Sequence, residues 1–362
     1  MGIMENAKKR IGYIDIARGI AIILVVVGHA CPKPLLYYIY QFHLPVFFFI
    51  SGIMYKSYYE EHPVENFTKR LKAYYVPFLK YQLIFLVLHN VFCAWNLLNE
   101  FSGEAAYSKV YSLKDFIKYG VLTIGFVWRE RFGGAMWYLI CVFTISVAFP
   151  IIMYLVKKIK NRYVQVAIVP VIMIIFAIIG FNTSFISAAG YKNIGKVSVS
   201  MVGLQLYYLG VLYGNYREKI EQIPVWSKVV ISVLCAGIVL GMSKINPGGM
   251  AELSYRYYWL FPVGAVAGIA MVMLVSQLPG IRSSKFLTLC GKYSLQIMCL
   301  HFLAFKIVTF IMIKWYNYPM EYLGYFPTYE KGLWWIAYSV VGVLVTLAFA
   351  WLTDIKRYKI KI

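Results

Sequence analysis

Acidic residues are scarce in this chain of 362 residues: 15 Asp and Glu stand against 36 Lys and Arg, a formal net charge of +21. Charged residues of either sign make up only 14% of it, against 61% apolar. That balance excludes the water-soluble two-domain protein that the length alone allows. None of the six cysteines forms a CxxC pair, and most lie inside apolar runs, so neither a zinc ribbon nor a disulfide framework is expected. The five histidines show no HxxxH or HExxH spacing, so no metal is expected. The sequence has no GxSxG elbow, no Walker A loop and no GxGxxG turn, which sets aside the serine-hydrolase, P-loop and dinucleotide chemistries. It also has no internal repeat, low-complexity tract or soluble domain, and residues 1–362 read as one domain.

What it has is apolar runs. Ten approach membrane-spanning length: about 14–31, 36–55, 74–98, 135–156, 163–181, 197–215, 227–245, 256–277, 294–315 and 332–353. The expected fold is an all-α integral membrane protein of about ten helices, since a bilayer leaves the backbone little other way to satisfy its hydrogen bonds. The basic residues cluster between the runs: Lys8-Lys9-Arg10, the loops Lys56–Lys72, Lys157–Arg162, Arg217–Lys228 and Arg282–Lys292, and the tail Lys356–Lys361. Placing these inside makes both termini cytoplasmic. The same clustering argues against a nucleic-acid partner, and the 32 Tyr and 9 Trp suit interfacial belts. Lys8-Lys9-Arg10 followed by an apolar run mimics a secretory signal, but Arg18 interrupts the run, so cleavage is not expected. Residues 99–134 are long for a connection. The stretch Ser112–Trp128 is semi-apolar and reads as an extracytoplasmic or re-entrant amphipathic helix, a candidate lid, or alternatively a structured loop.

The first run carries Asp15, Arg18 and His29, and ionisable groups are costly in hydrocarbon. At ~100° per residue, Arg18 and His29 fall within ~20° of each other and roughly 16 Å apart along the axis. Asp15 shares their stripe and can pair with Arg18 at i,i+3. The short turn Pro32-Lys33-Pro34 makes the first two helices an antiparallel hairpin, which brings His43 to a depth comparable with His29. Either imidazole suits general-base work on a hydroxyl in a dry site. Ser51-Gly52 permits close helix approach. The basic stretch Lys69-Arg70-Leu71-Lys72 is either a positive-inside anchor or a hold for the phosphates of a ligand. Trp137 and Tyr138 are belt residues or a stacking surface for a sugar ring. Ser294 and His301 share a helix face, and His301 also has a plain structural reading.

These residues resemble the integral-membrane acyltransferase family 3. The likeness rests on Tyr13-Ile14-Asp15-Ile16-Ala17-Arg18-Gly19 through Gly28-His29, similar to that family's Arg-x10-His signature, and on Phe42-His43-Leu44-Pro45-Val46-Phe47-Phe48-Phe49-Ile50-Ser51-Gly52, similar to its PxFFxxSG segment. Met136-Trp137-Tyr138-Leu139 and Ser294 to His301 add to it, and among branches the chain looks most like the fucose 4-O-acetylase-like group. One departure stands out. Many members carry Arg-x-x-Arg in the first large cytoplasmic loop, where this chain has Arg70 and Ala73 with Lys69 and Lys72 beside them.

The resemblance implies an O-acetyltransferase in the cytoplasmic (inner) membrane. It would take acetyl from acetyl-CoA and deliver it to a hydroxyl of a cell-surface or lipid-linked carbohydrate. His29, Asp15 and His43 would then be catalytic, and Arg18, Lys69, Arg70 and Lys72 would hold the donor. Trp137, Tyr138, Ser51 and His301 would meet the acceptor. A transporter or flippase of a lipid-linked sugar is the alternative from another class.

Overall fold

The computed structural model describes residues 12–188 and 194–359, and every regular element among them is helical. The basic cluster Lys8-Lys9-Arg10 and the last residues of the tail lie outside them. In chain order the helices are α1 (Gly12–Gly28), α2 (Lys33–Tyr40), α3 (His43–Ile53), α4 (Pro63–Arg70), α5 (Val76–Val87), α6 (His89–Ala94), α7 (Ala105–Ser108) and α8 (Leu113–Ile124). Then follow α9 (Trp137–Lys157), α10 (Arg162–Ala188), α11 (Ile194–Glu221), α12 (Val225–Ile245), α13 (Phe261–Val275), α14 (Lys285–Lys292), α15 (Ser294–Tyr316) and α16 (Trp334–Lys359). A π-helical turn, Leu71–Tyr75, joins α4 to α5.

Among the described residues, eight helical stretches are long and apolar enough to cross a membrane. They cover eight of the ten expected runs. The other two fall short for different reasons. α1 has only 17 residues, about 25 Å of helix. The run 74–98 is divided: its first residues finish the π-helical turn, and its regular helix stops at Val87 and resumes at His89. The outward surfaces are apolar, as a hydrocarbon solvent requires. Trp226, Val230, Val233 and Leu234 on α12 and Ile336, Val340 and Leu344 on α16 are all exposed.

α1 stands at the centre. Tyr13, Ile14, Ala17 and Ala21 belong to a core shared with α3, α9, α11 and α13. Ile22, Val25 and Val26 belong to a second core shared with α5, α15 and α16. Leu44, Phe47, Tyr74 and Tyr138 pack against both, so a seam between the two cores runs beside α1.

Two glycine contacts set the crossings next to this seam. A Cβ on Gly19 would lie 2.1 Å from the Leu287 carbonyl oxygen, and one on Gly291 would lie 1.9 Å from that of Asp15. Gly52 and Gly210 make the same backbone-to-backbone contact between α3 and α11, with a Cβ on Gly52 only 1.9 Å from the Tyr207 carbonyl oxygen. Gly52→Ala is expected to destabilise the fold by roughly 1–3 kcal/mol through overpacking. Gly241→Ala, whose added Cβ meets no atom within 4 Å, is the control. Thermal unfolding in detergent reads both.

Contacts gather the basic segments at one end of the bundle. The Lys157 ammonium is 2.6 Å from Glu60, the Tyr13 and Tyr213 hydroxyls are 3.2 Å apart, and Lys292 donates to Asp354 at 2.7 Å. At the other end the loop 247–257 is clamped over the break between α2 and α3. Asn246 holds both the N–H and the carbonyl of Tyr257, Gln41 donates to the Asn246 carbonyl, and Tyr255 donates to that of Tyr40.

The semi-apolar stretch after Ser112 forms α8, with Ser112 and Asp115 closing its N-terminal capping box. α8 lies along α5. At its start the Tyr111 backbone pairs with the Asn90 side chain, and at its end the Ile124 carbonyl accepts from Tyr75. The chain then doubles back through Phe126 to Glu130, whose N–H reaches Gln82 at 2.8 Å.

Candidate active site

A cavity of about 650 Å³ occupies the seam. α1 lines it with Arg18, Ile22 and Val25, spaced by four and three residues as one helical face requires, and His29 follows in the turn that ends the helix. Around Arg18 the wall is Ala73, Tyr74, Gly291 and Lys292; in the middle it is His43, Phe47, Ser51 and Tyr138. Beyond His29 it is Trp137, Arg129, Arg131, Lys196, Glu104 and Glu252.

Three imidazoles differ in how their nitrogens are committed. His43 sits where α2 breaks into α3, and its Nδ1 donates to the Ile39 carbonyl at 2.9 Å. Its Nε2 therefore carries the lone pair of the neutral ring. His301 repeats the arrangement, with Nδ1 donating to the Ile297 carbonyl at 3.0 Å. His301 is fully buried, its Nε2 meets no partner among the described residues, and its ring stacks on His29 with centroids 5.3 Å apart. His29 has neither nitrogen hydrogen-bonded to any described residue. It is wedged between His301 and Phe302 and open to the cavity. It is the imidazole whose nitrogens are both free for a substrate.

At the opposite end Arg18 bonds Asp15 at 3.2 Å. Asp15 is buried and outside the cavity wall, so it orients the guanidinium and does not touch the lumen. Lys292 is the second cation at this mouth, fixed by Asp354 at 2.7 Å and the Tyr293 hydroxyl at 2.8 Å. The expected phosphate-holding trio is not brought to the wall. Lys69 donates to the Tyr59 hydroxyl at 2.6 Å, Arg70 donates to Asn66 at 3.1 Å, and Lys72 is exposed. Lys69 and Arg70 are held on α4 by Tyr59 and Asn66, and the π-helical turn that follows brings Ala73 and Tyr74 to the wall.

The segment between α8 and α9 is pinned by a buried histidine–carboxylate hydrogen bond. His89 Nδ1 is 2.9 Å from the Glu130 carboxylate and its Nε2 is 3.0 Å from the Lys109 carbonyl oxygen. Both ring nitrogens are thus committed to protein oxygens. Trp128 donates to the other Glu130 oxygen at 2.9 Å, and the Tyr111 ring stacks on the imidazole. Glu130 thus anchors the backbone that carries Arg129 and Arg131 to the cavity. Glu130→Gln disrupts the buried hydrogen bonds to His89 and Trp128 and is expected to cost about 1–3 kcal/mol. The measurement is unfolding in detergent at neutral pH, where a shift no larger than that of an exposed control such as Glu218→Gln would remove the anchoring role.

A family model described as an acyltransferase domain, acyltransferase 3, matches residues 11–355. The chain belongs to the acyltransferase 3 family. No curated protein and no solved structure matches it. Membership makes the chain a multi-pass membrane acyltransferase, with an acyl donor and an acceptor as its substrates.

In this acyltransferase 3 chain, the cavity gathers Arg18, His29, His43, Ser51, Trp137 and Tyr138 from the residues singled out in the sequence. Asp15 and His301 stand directly behind two of them, and Lys69, Arg70 and Lys72 stand apart. Ala73, where many acyltransferase 3 members have the second Arg of their Arg-x-x-Arg, lines the Arg18 mouth. Sequence reasoning missed Lys292, Arg129, Arg131, Lys196, Glu104 and Glu252. One signal was available: Arg129-Glu130-Arg131, a dense charge run abutting an apolar span.

Proposed function

We propose that this protein is an O-acetyltransferase that takes acetyl from acetyl-CoA at the cytoplasmic face and passes it to a hydroxyl of a surface or lipid-linked carbohydrate. The observation that carries the reading is one cavity lined by Arg18 of α1 and by His29 in the turn that ends α1, roughly 16 Å apart on helical spacing. Arg18 and Lys292 make its near mouth cationic and suited to the donor's phosphates. An extended chain such as the pantetheine arm spans the distance, and the thioester then meets His29.

The chemistry follows from the free imidazole. As a general base, His29 takes the acceptor's hydroxyl proton while the oxygen attacks the thioester carbonyl. The C–S bond breaks, and the departing thiolate recovers the proton. As a carrier, His29 itself accepts the acyl group and yields it to the hydroxyl in a second step. The collection of basic segments at the Arg18 end supports placing that end in the cytoplasm. α1 and the run through α5 and α6 then complete ten crossings, with both termini inside.

The test is to incubate membranes with acetyl-CoA labelled in the acetyl group and with candidate glycans. Label in the glycan, dependent on the protein, supports the reading. Protein-dependent movement of a glycan without label transfer replaces it with a transporter.

A further inference from the structure

The end of the cavity beyond His29 has more positive charge than its own carboxylates neutralise. Arg129, Arg131 and Lys196 line it, and Lys306 lies behind Arg131. Among the described residues none of the four has a carboxylate within 4 Å. Their partners are neutral. Lys196 donates to the Ala251 carbonyl at 3.0 Å and lies 4.4 Å over the Trp137 ring. Lys306 is buried and donates to the carbonyls of Leu323 and Tyr325 at 2.8 and 2.7 Å. The Arg131 guanidinium lies 4.1 Å over Phe326 and 5.1 Å over Tyr107, and its buried Nε has no partner. Arg129 hydrogen-bonds no described residue, and burial pushes its guanidinium pKa down.

Three carboxylates are near. Glu104 and Glu252 share the wall, and burial raises the carboxyl pKa of Glu252, which favours its neutral form. Glu130 is spent on His89 and Trp128. Cations held together in a partly dry space on neutral partners are costly unless an anion joins them. Guanidinium groups with free N–H donors are also the fork that carboxylate and phosphate oxygens fit.

We propose that Arg129, Arg131 and Lys196 form an anion subsite, and that the acceptor carries a negative group, a carboxylate or a phosphate, beside the hydroxyl that is modified. The inference rests on the reading of the cavity as an acetyl-transfer site with the acceptor at this end. The anion fixes the sugar against the cations while the Trp137 face packs on its ring. That leaves the neighbouring hydroxyl directed at His29.

Two measurements separate this subsite from the transfer reading. The first needs no activity: glucuronate, glycerol phosphate and glucose are titrated into the purified protein in detergent, with Trp137 fluorescence as the signal and Trp137→Phe as the blank. Glucuronate or glycerol phosphate should bind at least about tenfold more tightly than glucose, and Arg129→Gln should remove most of that advantage. Which of the two binds better assigns carboxylate or phosphate. Equal binding of glucose, or an advantage that survives in both Arg129→Gln and Arg131→Gln, overturns the subsite. So does competition by coenzyme A at Trp137, which would make this the donor's end. The second measurement compares acetyl transfer to a hexuronate oligosaccharide and to its carboxyl-reduced twin. A preference for the acid, lost in Arg129→Gln through KM, supports the proposal. Transfer to both alike overturns it while leaving the transferase reading intact. Binding of the anions with no transfer to either sugar would instead remove the transferase reading and leave the subsite standing.

Discussion

Replacing His29 by Ala is expected to lower acetyl transfer on the order of 10²- to 10⁴-fold, the range that a positioned acid–base group contributes. Membrane insertion and donor binding should persist, because His29 is partly exposed to the cavity and makes no hydrogen bond to a described residue. The comparison with His43 gives the prediction its force. Both imidazoles face the same lumen, but His43 spends Nδ1 on the Ile39 carbonyl and stacks on Tyr40, with ring centroids 4.9 Å apart. His43→Ala therefore loses a structural bond as well as a lone pair, and should cost stability as well as rate. His29→Ala should cost rate alone. Initial rates with labelled acetyl-CoA, paired with unfolding midpoints, separate the two. If His29→Ala transfers at the parent rate while His43→Ala is inactive but folded, the base is His43. A rapid-quench search for label on the protein distinguishes the two chemistries of His29, since only the carrier route leaves acetyl on the imidazole.

The helices were legible where hydropathy alone decides. The runs at 135–156, 197–215, 227–245 and 294–315 match α9, α11, α12 and α15 closely, because an uninterrupted apolar stretch has few alternatives to a helix in lipid. That Arg18 and His29 meet one cavity was legible from helical period, although the helix ends at Gly28 and His29 sits in the turn after it. The breaks were not. Gln41 and Phe42 lie inside a stretch that still reads as one membrane span, yet the helix breaks there and puts His43 at the start of a new helix beside the cavity. The π-helical turn at Leu71–Tyr75 is equally silent, and a reading based on charge passed over Ala73 and Tyr74, which that turn brings to the cavity. The far end of the cavity was the least legible. Arg129, Lys196 and Glu252 come from three separate segments, and only tertiary packing brings them together.

The second large effect concerns the route between the two ends. Ile22 and Val25 are the wall residues of α1 between Arg18 and His29. If the donor's acyl arm travels along that wall, an indole there blocks it. Val25→Trp is expected to reduce transfer by roughly 10²-fold or more, the scale on which misplacing a reacting group acts. Arg18, Lys292 and the anion-facing residues at the other end remain untouched, so coenzyme A should still bind and His29 should still be free. Because Val25 is only 5% exposed, the same change risks overpacking the core around it. Ile22→Trp places the obstruction one turn nearer Arg18, and Val25→Ala removes bulk from the same wall. A route along α1 predicts that both tryptophan variants lose transfer while retaining donor binding, and that Val25→Ala retains transfer. Parent-level activity in folded Val25→Trp and Ile22→Trp would mean that the thioester reaches His29 by another path. Arg18 and Lys292 would then be anchors of the fold, and the shared stripe on α1 would have no part in carrying the acyl group.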